Sequence, residues 1–229
     1  MSKPKVVLYP AGKSGCAWWR IRNPMEAMKH VYDDIECVVL DTTKMTREMV
    51  YEAIQIADLA VLQAPGSMEG LSIIRGHITE IVRKNKIDKK RVKVAVDYDD
   101  YSFDLSPYNP RYKDLGTEEA KDDNGNWLWR DGYGGFDMKS NRNRYNAFVS
   151  CISECDVVTT TTHYLRDKFL KFNPNVCILP NSIDFNKWGE IKRPERMKNE
   201  IRVGWFGGDS HYKDLLQIKP MFKPFIEKY

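Results

Sequence analysis

The chain opens with short apolar runs separated by longer segments whose apolar residues recur at helical spacing. "KVVLYPAG" (5–12) reads as a strand closing in a glycine turn. "NPMEAMKHV" (23–31) reads as a helix with Pro24 suited to its first turn. "IECVVLDT" (35–42) is a second strand, and "TREMVYEAIQIA" (46–57) a helix capped by Thr46. "DLAVLQAPG" (58–66) is a third strand, "SMEGLSIIRGHITEIVRKNKI" (67–87) a long helix, and "RVKVAVDYDD" (91–100) a fourth strand. Buried-looking strands that alternate with helices predict a parallel, doubly wound α/β sheet.

The pattern breaks from Tyr101 to about Arg144, a stretch rich in Asp, Asn, Gly, Tyr and Trp. Such a stretch is too long for an ordinary connection and points to function. Alternation then resumes with helix "RYNAFVSCISECD" (144–156), strand "VVTTTT" (157–162), helix "HYLRDKFLKF" (163–172) and strand "NVCILPNSID" (175–184). "NKWGEIKRPERMKNE" (186–200) reads as a charged linker containing Pro194, "IRVGWFGG" (201–208) as a new strand, and 212–229 as its helix, interrupted at Pro220 and Pro224. The expected organisation is one domain over 1–190, a linker over 191–200, and the start of a second domain over 201–229.

Composition narrows the classes. An apolar fraction of 42% with six Trp, nine Phe and twelve Tyr builds a real core and excludes a disordered chain. The formal net charge of +4 is a mild lean towards an anionic partner. Cys16, Cys37, Cys151, Cys155 and Cys177 are odd in number and form no CxxC, so no structural zinc is expected. Reduced thiols and the lack of an apolar leader or membrane-length run point to the cytoplasm.

In doubly wound sheets, ligands sit beyond the carboxyl ends of the strands. After the first strand, "PAGKSGCAWWRIRNP" offers Gly12 and Gly15 for close approach, Arg20 and Arg22 for anionic groups, and Trp18 and Trp19 for stacking; a packed loop is the alternative. After the fourth, Asp97, Asp99 and Asp100 cluster at a strand end. Three chemistries fit them: a metal-holding carboxylate pair, a phosphotransferase nucleophile, or a polar group orienting a hydroxylated acceptor. Thr159 to Thr162 stand before a helix, where a hydroxyl caps it or meets a ligand, and His163 starts that helix. Asn181 and Asp184 are turn formers. Gly207 and Gly208 lie in a strand-to-helix turn suited to an anion, with Ser210 as a cap and His211 in the first helical turn.

Four segments in order carry a resemblance. "DYDD" with "FDLSPYNP" (103–110), "CDVVTTTTHYLRDKF", "CILPNSIDFNKW" and "IRVGWFGGDSHYKDL" resemble successive segments of GT-B glycosyltransferases of the family 4, or group 1, type, phage-encoded members included. The resemblance covers roughly the last 60% of the chain, and the first 90 residues match only in pattern. It implies two Rossmann-like domains facing a cleft, with the acceptor held by the first and a nucleotide-sugar donor, such as a UDP- or GDP-sugar, by the second. It also implies retaining, metal-independent transfer with no cofactor, which argues against the metal and phosphotransferase chemistries at Asp97 and Asp99. On this footing Asp99 and Asp100 are the expected catalytic residues. Gly12, Gly15, Arg20, Asp97, Trp127, Trp129 and Thr161 are the expected acceptor contacts, and Gly207, Gly208, Ser210 and His211 the donor contacts. The acceptor is unassigned, a glycan or a modified DNA base. The family's basic and Glu-rich donor motifs fall beyond Tyr229, so a further domain or a second polypeptide is expected to complete the donor site. The His sometimes found at the acidic strand's end is replaced here by Asp.

Overall fold

The computed structural model of the protein describes residues 3–13, 15–42, 44–63, 68–87, 91–183, 204 and 212–228. The predicted alternation folds into a six-stranded, wholly parallel sheet in the order β2-β1-β3-β4-β7-β8. Its strands are β1 (Lys5–Tyr9), β2 (Glu36–Val39), β3 (Leu59–Gln63), β4 (Lys93–Asp97), β7 (Val157–Thr160) and β8 (Val176–Ile178). The chain is α/β with a Rossmann-like, doubly wound sheet flanked by helices. The order reverses beside β1: the chain steps to β2 on one side, then to β3 on the other. That is where such sheets open a crevice.

The crossover helices cover both faces of the sheet. The helices α3 (Arg47–Gln55), α4 (Met68–Ile87), α6 (Met138–Glu154) and α7 (His163–Phe169) share the main core. In it Val50, Ile54, Ile74, Ile78, Phe148, Ile152 and Phe169 meet Val7, Leu62, Val94, Val96 and Val158 of the strands. The alternate β1 residue, Leu8, packs with Ile21 and Met25 in a smaller core on the opposite face. Burial on both faces is why β4 reads as an unbroken apolar run, with residues 94–97 all buried.

Two segments differ from expectation. The stretch after β1, read as a loop as far as Pro24, is helical from Gly15. A short α1 (Gly15–Ala17) runs through a π-helical turn (Trp18–Arg22) into α2 (Asn23–Val31). Pro24 has no N–H to give, and the wider turn accommodates it: the Asn23 N–H reaches back to the Trp18 carbonyl, five residues before it. Residues 101–137, read as irregular, hold α5 (Tyr112–Leu115) and an antiparallel hairpin of β5 (Ala120–Lys121) and β6 (Trp127–Trp129). This insert has its own small core, in which Trp129 and Phe136 lie against Tyr112. Buried Asn141 staples it to α6, donating to the carbonyls of Lys113 and Gly116 at 2.9 Å each. As a result α6 starts at Met138, capped by Asp137, six residues before the expected Arg144.

The helix α8 (Tyr212–Lys228) continues through Pro220 and Pro224, which were expected to break it. Its surface is largely exposed, so water can take the carbonyls that the prolines leave unpaired. The linker and residues 201–203 and 205–211 lie outside the described residues. No helix among the described residues is long and apolar enough to cross a membrane.

Candidate functional site

The carboxyl ends of β1, β3, β4 and β7, with the chain leaving β8, define the candidate site. Its floor is a buried ion pair. Arg20, on the π turn, donates from Nε to Asp97 Oδ2 at 3.1 Å and from Nη2 to Oδ1 at 2.5 Å. Both side chains are under 5% exposed. Thr159 Oγ1 donates to Asp97 Oδ1 at 2.6 Å across the β4–β7 register. Arg20 Nη1 also donates to the Leu179 carbonyl and to Asn181 Oδ1, so one guanidinium ties the first helix, the end of β4 and the segment after β8. Planar, bidentate pairing of this kind is the geometry that favours Arg over Lys.

Arg20 and Asp97, both expected as acceptor contacts, hold each other here, and both Asp97 oxygens are engaged. A metal held by Asp97 and Asp99 therefore does not fit, because Asp97 would have to give up Arg20 and leave a buried cation unpaired. Among the described residues no group of three His, Cys, Asp or Glu side chains is placed to hold a metal ion.

Two residues further on, the environment reverses. The last ladder bond at this point runs from the Tyr98 N–H to the Thr159 carbonyl at 2.9 Å. Tyr98 then turns into the core against Phe148 and Phe169, where burial pushes its phenol well above the usual range. Asp99 is half-buried and Asp100 exposed. The Cys16 thiol on α1 hydrogen-bonds to Asp99. That bond, then partial burial, then the charges of Asp99 and Asp100 push the thiol up to about 11. Cys16 is therefore a protonated donor at neutral pH rather than a nucleophile. The structure thus brings the first helix and the acidic turn together through Cys16, a residue that the sequence marked only as a free thiol.

Gly12 and Gly15 lie at this end of the sheet, and a Cβ at either would meet nothing within 4 Å. Neither glycine is demanded by a close approach within the protein, and the space above them is open. The buried Gln63, unmarked in sequence, accepts from the Ala11 N–H at 3.0 Å and joins the ends of β1 and β3. Its signal is a polar residue closing the apolar run "LAVLQ" at a strand end. Thr162, not Thr161, caps α7 by accepting from the Leu165 N–H at 3.2 Å. Thr161 is half-exposed between that cap and the buried Thr160, whose hydroxyl has no hydrogen-bond partner among the described residues.

The two tryptophans of the insert separate. Trp129 is packed within the insert, and its indole N–H donates to the Pro107 carbonyl at 2.5 Å. Trp127 stands exposed on the hairpin, with Lys121 and Arg130 beside its ring. Gly207, Gly208, Ser210 and His211 lie outside the described residues. No protein-family model matches the chain, and no curated protein matches it.

Proposed function

We propose that this chain forms the acceptor side of a glycosyltransferase that moves a sugar from a nucleotide-sugar donor to an acceptor hydroxyl. The observation that carries the reading is the division at the end of β4: Asp97 is buried and locked by Arg20, while Asp99 is half-buried and Asp100 exposed at the carboxyl end of the sheet. A carboxylate there orients the acceptor hydroxyl or takes its proton as the oxygen bonds to the anomeric carbon on the same face from which the diphosphate leaves, as retention requires. The bond from that carbon to the donor diphosphate breaks, and its electron pair leaves with the nucleoside diphosphate. Transfer with retention and without a metal or other cofactor belongs to the same reading, and so does a donor half built on Gly207, Gly208, Ser210 and His211.

The test is release of nucleoside diphosphate from UDP- and GDP-sugars by the protein, with and without EDTA. Asp99→Asn combined with Asp100→Asn is expected to lower kcat by roughly 10²–10⁴-fold, the usual share of general acid–base catalysis. EDTA is expected to change nothing. Unchanged turnover in the double variant, or loss of turnover with EDTA, sinks the proposal.

A further inference from the structure

The hairpin of the insert carries a second, separate arrangement. Lys121 Nζ lies 4.3 Å from the centre of the Trp127 ring. Arg130 lies 5.9 Å from the same ring and 4.8 Å from the ring of Tyr133. Both rings are exposed, Trp127 by 47% and Tyr133 by 63%. Cations and rings therefore alternate along one surface, and neither cation pairs with a carboxylate among the described residues.

Three of the neighbouring acids are engaged elsewhere. Asp122 accepts from the N–H groups of Asn124 and Asn126, Glu119 from that of Asp131, and Asp131 from that of Met138. These bonds hold the turns rigid, and Gly125, Gly132, Gly134 and Gly135 supply the positive φ those turns need. Trp129 and Phe136 fix the hairpin from beneath. A preformed surface of this kind keeps its rings displayed with little ordering left to do on binding.

We propose that Lys121, Trp127, Arg130 and Tyr133 form a binding site for an acidic saccharide. The C–H face of a sugar ring stacks on Trp127 or Tyr133, and a carboxylate or phosphate on that sugar meets Lys121 and Arg130. Nucleic acid is the other ligand that joins rings to anions, but the charge of the insert opposes it. Residues 101–137 carry eight Asp or Glu against four Lys or Arg. A long polyanion meets that whole field, whereas one acidic sugar meets only the two local cations. As a statement about the acceptor of the transferase, this rests on the reading above; as a ligand site, it stands without it.

The experiment follows the indole N–H resonance of Trp127 in ¹H–¹⁵N spectra, assigned by its absence in Trp127→Ala. The titrants are a glucuronate-containing oligosaccharide, a sugar phosphate, a neutral oligosaccharide of equal length and a single-stranded oligonucleotide, with no donor present. A saturable shift with either acidic sugar, weakened roughly tenfold by Arg130→Ala, is expected. The two acidic titrants distinguish a carboxylate ligand from a phosphate ligand. No shift with either acidic sugar, an equal response to the neutral one, or tighter binding of the oligonucleotide overturns the proposal. Because no donor is present, a chain that binds the sugar but never transfers it leaves this site standing and removes only the transferase reading.

Discussion

Asp97 and Asp99 lie two residues apart on one strand exit, as Trp129 and Trp127 do on the hairpin. In each pair one member is locked into structure and the other displayed. Residues i and i+2 of a strand share a face, so alternation alone predicts a common fate. The difference arises where the ladder ends. Asp97 still pairs with Thr159 in register, but after the Tyr98 N–H bond the chain leaves the sheet, and Asp99 is no longer bound by its geometry. On the hairpin, the register shifts between Ala120 and Lys121, and a bulge of this kind re-aims the side chain beside it. At both places the departure from regular pairing is what separates the surroundings of two residues that alternation would put on one face.

The comparison breaks most readily at the buried pair. Arg20→Ala leaves Asp97 charged and unpaired, and is expected to lower stability by ~3–5 kcal/mol in urea denaturation. Asp99→Asn should stay within ~0.5 kcal/mol. Equal effects would mean that the two acids do not differ as described.

The hairpin pair gives a smaller contrast. Trp129→Ala is expected to cost about 2 kcal/mol, less than a fully buried aromatic because the ring is only half-buried. Trp127→Ala should be close to neutral in stability while removing saccharide binding. A large loss of stability in Trp127→Ala would place that ring in the framework instead.

A third contrast is chemical. Since the hydrogen bond to Asp99 holds the Cys16 thiol up to about 11, alkylation of Cys16 at pH 8 should be slow. Asp99→Asn is expected to speed it by roughly tenfold as the thiol returns towards its ordinary range. Peptide mass spectrometry of timed samples reads the rate, and an unchanged rate would separate Cys16 from the acidic turn.

The smallest effect concerns the anchor of the insert on α7. Lys168 beside Asp104 holds that carboxyl below its usual range. The folded value is depressed, so the contribution is present above the ordinary carboxylate range and fades as pH falls through the lowered value. Both groups are partly exposed, so screening keeps it small. Lys168→Met should flatten the stability profile only slightly, below about pH 4.

Much of the sheet was legible because its strands are apolar on both faces and its helices carry clear periodicity. Thr46 was readable as a cap, and its side chain does accept from the Met49 N–H. The helical reading failed after β1 because a π turn carries neither the period of a helix nor the composition of a loop. It failed in the insert because short elements stabilised by turn acids and stacked rings leave no repeating pattern. The acidic cluster was visible as a cluster, but its division into locked and open members was not. That division depends on Arg20, 77 positions away in the chain.

By itself, the sequence determined that this is a doubly wound α/β chain with acids, glycines and threonines at the ends of its strands, because hydrophobic periodicity and turn chemistry are local. Which acid is sealed and which tryptophan is displayed was decided only by the tertiary structure. Burying a charge requires a partner, and in this fold the partner of Asp97 comes from a distant segment, Arg20 on the turn after β1.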